Sequence, residues 1–333
     1  GGGADSTLLR DVWSTSNGED WTMVSTAAQW TARKSFGAVS FNKKIWAVGG
    51  LSAAGASNAV YSSLDGLSWS EVRAETPHCT AACSPGADDY IWSPRHSMVV
   101  LGYVGKLWVI GGVSSGLSEE AAADAAFNHD VWSSTDGVGW SRVNAETPWE
   151  RRRGVVGVVY SLVMYVLAES GDYRSYYNLW SSRDGVTWSE PMTGCTVSGQ
   201  RLGGINVYST GLLLFSVADE WAGDQSVRMW QSSNLGSVFD GTFSRLPGVV
   251  GDKPLRGARY VVFKSQIFQL GGACQRCVTL KGDDKFSTVW HSWGPVGLSF
   301  SPASRALPSF GATLLVSLAS VLLGSVVAQK SFL

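Results

Sequence analysis

The sequence predicts an all-β chain in which one short-stranded unit recurs along most of the length. Three observations point there. An aromatic–Ser-x-Asp-Gly–Trp segment repeats, glycine (39) and tryptophan (16) are abundant while charged residues make up only 16%, and long amphipathic helical periodicity is scarce. That balance suits many short strands joined by tight turns.

The second half of the unit is the clearer one. DVWSTSNGEDWTMV (from Asp11), AVYSSLDGLSWSEV (from Ala59), DVWSSTDGVGWSRV (from Asp130) and NLWSSRDGVTWSEP (from Asn178) are four copies of one hairpin. Each has a strand centred on an aromatic residue, a Ser-x-Asp-Gly or Ser-Asn-Gly turn, and a second strand carrying tryptophan. Two weaker copies follow, MWQSSNLGSVFDGTFSRL from Met229 and VWHSWGPVGLSFS from Val289, with Phe243 and Phe300 in place of the second tryptophan. The first half of the unit lies between the hairpins, in WTARKSFGAVSFNKKIWAVGG (from Trp30) and WSPRHSMVVLGYVGKLWVIGG (from Trp92). It consists of two apolar strands ending in Gly-Gly, and WERRRGVVGVVYSLVMYVLAES, QRLGGINVYSTGLLLFSVAD and ARYVVFKSQIFQLGG repeat it.

A unit of four short strands with Gly-Gly after the second and an aromatic residue in the fourth resembles the kelch repeat. The resemblance covers nearly the whole chain. It implies a six-bladed β-propeller of four-stranded blades, with Gly49-Gly50, Gly111-Gly112 and Gly271-Gly272 as the di-glycines. Glu169-Ser170 and Ala218-Asp219 stand at that position in two degenerate copies. One such sheet cannot bury both of its faces, so the repeated tryptophans are expected to fill the wedges between neighbours.

Residues 1–308 are expected to form the propeller, with an N-terminus that looks truncated because Gly1-Gly2-Gly3 stands where other copies carry their di-glycine. Residues 309–333 admit two readings. Phe310 to Ala328 carries no charge and is flanked by Arg305 and Lys330, long enough for a transmembrane helix or a removable anchor signal. The same stretch begins with the SFGA of Ser35 to Ala38, so it could instead be the strand pair that joins the first hairpin and closes the ring.

Strand alternation places the tight hairpin turns at one end of every sheet and the remaining connections at the other. The long insertions, 75–91, 113–127, 219–226, 247–256 and 273–286, all belong to the second class, which makes one face loop-rich and the expected seat of function. Candidate binding residues there are Asp88, Asp89, Tyr90, Tyr173, Arg174, Tyr176, Trp221, Asp224, Asp283 and Asp284. Arg33, Arg95, Arg152, Arg201 and Arg259 recur near the start of the innermost strand, three of them as Trp-x-x-Arg. A ring of guanidinium groups could receive a carboxylate-bearing peptide or another anion; alternatively each arginine ties a carboxylate or carbonyl inside its own blade.

Catalytic readings find less support. The kelch family resembles the copper domain of galactose oxidase, but His78, His96, His129 and His291 share no ligand spacing. The Ser-x-Asp-Gly-x-x-Trp turns also resemble the sialidase Asp-box, one residue shorter, and Asp65, Asp136 and Asp184 read as turn formers. Cys79 with Cys83 and Cys274 with Cys277 could form local disulfides in an oxidising compartment, or less readily a zinc site. A net charge of -1 offers no basic field for nucleic acid. The expected protein is thus a non-catalytic module without cofactor or metal, secreted or displayed at the cell surface, that docks a protein or glycan. An intracellular scaffold and a secreted oxidase or glycan-processing enzyme are the alternatives.

Overall fold

The computed structural model describes residues 8–17, 20–76, 91–116, 123, 126–149, 155–169, 177–195, 200–208, 211–218, 227–232, 243–245, 259–263, 266–270, 289–292, 300–302, 315–317 and 326–329. Beyond Glu190 the description is of backbone alone, except at residues 205–207 and 212.

Every described regular element of appreciable length is a strand. The first sheet starts with β1 (Val12–Thr15) and β2 (Thr22–Ser25). The second contains β3 (Arg33–Lys34), β4 (Gly37–Phe41), β5 (Lys44–Ser52), β6 (Gly55–Ser63) and β7 (Trp69–Arg73). The third runs β8 (Val99–Tyr103), β9 (Lys106–Val113), β10 (Phe127–Ser134) and β11 (Ser141–Asn144), and the fourth β12 (Val156–Tyr160), β13 (Val163–Glu169), β14 (Tyr177–Ser182) and β15 (Ser189–Cys195). A fifth sheet is made of β16 (Gln200–Tyr208), β17 (Gly211–Ala218), β18 (Val227–Ser232) and β19 (Phe243–Arg245). The sixth comprises β20 (Arg259–Phe263), β21 (Gln266–Leu270), β22 (Val289–Ser292) and β23 (Phe300–Pro302); β24 (Leu315–Ser317) and β25 (Val326–Gln329) come last.

The second to sixth sheets are antiparallel meanders in chain order. In the second, the inner edge is split into β3 and β4 by Ser35 at φ 52°, both segments pairing with β5. The third repeats the break at Ser97, φ 53°, where His96 bridges Val113 ahead of β8. The first sheet is composite, ordered β2-β1-β25-β24, with Trp13 opposite Ala328 and Val316 opposite Ala328 on the other side. No helix among the described residues is long and apolar enough to cross a membrane.

Inner-edge strands of consecutive sheets lie against one another: β24 on β4, β4 on β8, β8 on β12, β12 on β16 and β16 on β20. The sheets therefore succeed each other face to face, and the core is a series of inter-sheet wedges rather than one central body. Val12 packs with Ile45, Ala47 and Tyr61 between the first and second sheets. Trp46, Val48 and Val60 meet Leu107, Val109 and Trp132 between the second and third. Ile110 and Val131 meet Met164 and Val166 in the next wedge, and Tyr165 and Leu179 meet Ile205 and Leu212 in the one after.

Three tryptophans from the connections seal these wedges. Trp30, Trp92 and Trp149 are fully or almost fully buried. Each stands edge to face on the hairpin tryptophan of the sheet it precedes: Trp30 on Trp69 at 4.3 Å and 82°, Trp92 on Trp140 at 5.8 Å and 83°, Trp149 on Trp188 at 4.9 Å and 87°. Such geometry adds about 0.5–1.5 kcal/mol per pair to the area buried.

The turns have a second task. In Ser134-Thr135-Asp136-Gly137, the Ser134 hydroxyl accepts from the N–H of Asp136 and Gly137, and Asp136 Oδ1 accepts from Val138 and Gly139. The turn thereby holds Gly137 at φ 80° and Gly185, in the equivalent turn, at φ 73°, a region open to glycine at little cost. These glycines lie on the indoles of the preceding sheet, Gly137 on Trp46 and Gly185 on Trp108, where a Cβ would collide with the ring. Gly185→Ala is expected to lower stability by about 2–3 kcal/mol through the clash and the strained φ together. Gly139→Ala, with open space at its Cβ, should stay within about 0.5 kcal/mol. Urea melts of the two variants check the contrast.

Candidate functional site

The strand order puts the turns β4–β5, β6–β7 and their equivalents at one end of the sheets, and the connections β5–β6 and β7–β8 with theirs at the other. The long insertions therefore leave from a common end, where the Trp-x-x-Arg segments and the di-glycines also sit.

Two of the five repeated arginines have described side chains, and both point inward. Arg95 is 1% exposed. Its Nε donates to Ser93 O (3.1 Å), Nη1 to Gly111 O (2.9 Å), and Nη2 to Ser93 Oγ (2.8 Å). Asp130 grips it in a two-pronged ion pair, Nη1–Oδ1 2.5 Å and Nη2–Oδ2 3.1 Å, and also accepts from Trp132 Nε1 at 2.7 Å. Burial pushes the Asp130 carboxyl up, but the Arg95 charge and hydrogen bonds outweigh it and hold the group below its ordinary value.

Arg33 is 3% exposed and repeats part of this pattern, with Nε donating to Thr31 O (3.0 Å) and Nη1 to Gly49 O (2.9 Å) and Ser57 Oγ (3.2 Å). In both sheets the arginine binds the carbonyl of the first di-glycine residue. That residue's peptide is turned by positive φ, 62° at Gly49 and 63° at Gly111, so its carbonyl would otherwise lack a ladder partner. The geometry matches the reading in which each arginine serves its own sheet. Around Arg33, Tyr61 stands with its ring 5.3 Å from the guanidinium carbon, and its hydroxyl donates to Glu71 at 2.8 Å. Burial together with the Glu71 hydrogen bond pushes this phenol up to about 12.

Arg201 and Arg259 lie in β16 and β20, opposite Val217 and Leu270, with backbone alone described. Arg152, Asp88, Asp89, Tyr90, Tyr173, Arg174, Tyr176, Trp221, Asp224, Asp283 and Asp284 lie outside the described residues, as do Cys79, Cys83, Cys274 and Cys277. His96 and His129 both belong to the third sheet, the first bridging Val113 and the second in the irregular stretch between Asn128 and Val131. Among the described residues no three His, Cys, Asp or Glu side chains could hold a metal ion.

Sequence reasoning missed three elements of this framework. Asp130 as the arginine's partner was signalled by Asp-Val-Trp, seen twice. Arg73 Nη1 and Asn144 Nδ2, at equivalent positions of β7 and β11, donate to Val138 O (2.6 Å) and Val186 O (2.9 Å) in the turn of the following sheet. Tyr103 Oη reaches across to the carbonyls of Leu162 and Arg183 at 2.8 and 3.0 Å. The two latch residues differ in type, so no period exposes them, whereas the position of Tyr103 is aromatic in every copy, as Phe41, Tyr160, Tyr208 and Phe263.

No family model matches the chain, and no curated protein does. Among solved structures, one titled "Structure of YjhT" is similar at a TM-score of 0.56 and 12% identity, covering 85% of this chain and 87% of that one. At that identity the likeness is one of fold, and with the four-stranded antiparallel sheets it makes this chain β-propeller-like.

The Arg95–Asp130 pair generates a test with a definite sign. The folded carboxyl titrates below its ordinary 3.8, so the pair stabilises the fold at neutral pH and stops doing so as pH falls through that depressed value. Asp130→Ala should cost about 3–5 kcal/mol at pH 7, since it strands a buried guanidinium. It should also flatten the acid limb of the stability curve, measured by denaturant melts from neutral pH to below the carboxylate range.

Proposed function

We propose that the chain is a six-bladed, kelch-type β-propeller, closed by β24 and β25 beside the first hairpin, that binds a protein or glycan on its loop-rich face and carries no catalysis of its own. The observation that supports this most is a division of labour. The described polar side chains at the repeated positions are engaged in holding the sheets, whereas the long insertions all leave from one end of them. Secretion or surface display suits the two close cysteine pairs.

Closure is tested by deleting residues 309–333. The shortened chain should lose its cooperative melt or fall by many degrees, because β1 and the inner edge of the second sheet lose their neighbours; an unchanged melt would favour a segment separate from the ring.

For binding, variants with residues 79–88 or 117–122 replaced by short Gly-Ser connections are compared with the parent on glycan arrays and on intact cells. Shortened variants are expected to keep the parental melting temperature and lose binding. Turnover of a sugar substrate by the parent, or stoichiometric copper in the purified protein, would instead support the oxidase or glycan-processing reading.

A further inference from the structure

The tight-turn end of the sheets presents apolar side chains that the framework does not use. The exposed large hydrophobics among the described residues are Met23, Leu64, Leu67, Val104, Val138, Leu162 and Val186. Leu64 and Leu67 lie in the turn β6–β7, Val104 in β8–β9, Val138 in β10–β11, Leu162 in β12–β13 and Val186 in β14–β15, with Met23 just past the first hairpin turn. Single exposed hydrophobics are ordinary, but these tips are held in place together. Tyr103 Oη of the third sheet donates to Leu162 O and Arg183 O of the fourth, Arg73 Nη1 donates to Val138 O, and Asn144 Nδ2 to Val186 O. The preceding sheet thus fixes the main chain of three apolar tips while their side chains stay outside, an arrangement ordered before any partner arrives.

Two of the tips are also strained. Val104 and Leu162 adopt φ 43° and 58° while 68% and 71% exposed. The pairs Phe41 with Lys44, Tyr103 with Lys106 and Tyr160 with Val163 make their two-residue turns equivalent. Val104 therefore stands where the second sheet has Asn42, and Leu162 where the third has Gly105. Asparagine and glycine suit positive φ, whereas a bulky or β-branched side chain is strained there. At such exposure, packing within the chain does not offset that strain.

We propose that the turn end is a self-association face, seated against the same face of a second copy of this chain in a two-fold dimer. Charge selects that occupant. Lys43, Lys44 and Lys106 stand exposed at the turns between first and second strands, whereas Asp20, Asp65, Asp136 and Asp184 stand exposed at the turns between third and fourth strands or their equivalent, with Arg183 beside the last. A two-fold axis between the two kinds of turn exchanges them, setting the lysine turns of each copy opposite the aspartate turns of the other. Backbone N–H bonds from Ser68 and Leu67 hold Asp65 below the usual carboxylate range, and the bond from Thr187 does so for Asp184, so both signs persist at neutral pH. An anionic bilayer or a polynucleotide would be repelled by those carboxylates. Exposed ion pairs add little affinity but set register; the apolar tips supply the burial. The face lies opposite the loop-rich end, so the dimer does not rest on ligand docking there.

Analytical ultracentrifugation over a concentration series tests this, and the parent protein should be a reversible dimer. Val104→Asn with Leu162→Gly, which gives each turn the residue of its counterpart, should raise the dissociation constant about tenfold or more. Its melting temperature, taken at dilutions where the parent is monomeric, should equal or exceed the parent's because the strained turns are relieved. Lys43→Glu with Lys106→Glu, which sets like charges across the contact, should also weaken the dimer, and less so at high salt. The variant with residues 117–122 replaced should dimerise as the parent does, which separates this face from the loop-rich one. A parent that stays monomeric up to about 50 μM, a dimer that both turn variants leave intact, or a monomer that sediments with phosphatidylserine-containing vesicles would overturn the proposal.

Discussion

The structure depends on the edge-to-face contact between a connection tryptophan and the hairpin tryptophan of the sheet that follows. A four-stranded sheet has two faces and can bury neither by itself. Trp30, Trp92 and Trp149 convert a covalent connection into part of the core. Each is placed by chain order at the start of one sheet and packed on the last hairpin of that same sheet, so the outer and inner edges are tied before the neighbour arrives. Trp69, Trp140 and Trp188 are themselves fixed by indole N–H bonds to the turn carbonyls of Gly66, Gly137 and Gly185. The turn, the wedge and the connection are one mechanical unit, and loss of any part loosens the other two.

Charge is placed with the same economy. The turn aspartates are exposed but accept backbone N–H bonds; those from Ser68 and Leu67 hold Asp65 below the usual carboxylate range. The buried ones serve the sheets: Asp11 and Asp130 accept from Trp13 and Trp132. Where the repeat substitutes Asn178 for that aspartate, Trp180 Nε1 is buried without a hydrogen-bond partner among the described residues. One changed side chain thus leaves a visible gap in the hydrogen-bonding account.

Much of the fold was legible in the sequence because its signals are periodic. The six hairpin copies, the di-glycines and the split into tight turns and long connections follow from counting residues and recognising turn chemistry. The site was far less legible. Five arginines at one register position look alike in sequence, yet whether each faces a channel or its own sheet depends on the rotation of a short strand, which the breaks at Ser35 and Ser97 alter by an amount no period encodes. The latches from Arg73 and Asn144 use different side chains at one position to reach one kind of carbonyl, so identity fails where geometry is constant. Residues 309–333 read as an apolar stretch under a length rule and as a strand pair under a register rule, and pairing with β1 depends on residues some 300 positions away.

A repeat protein hides its function wherever the copies agree, because agreement is already accounted for by the demands of stacking. Tryptophans, turn aspartates and di-glycine arginines serve the sheets wherever their side chains are described, and their abundance here says little about a ligand. Information about a ligand sits in the disagreements: an insertion in one sheet and not the next, or an asparagine where the equivalent strand has an aspartate. A disagreement that costs nothing is drift. One that leaves a buried polar group without its partner costs stability, so the departures worth testing are those whose energetic consequence is unmet within the chain, and Trp180 beside Asn178 is one of these among the described residues.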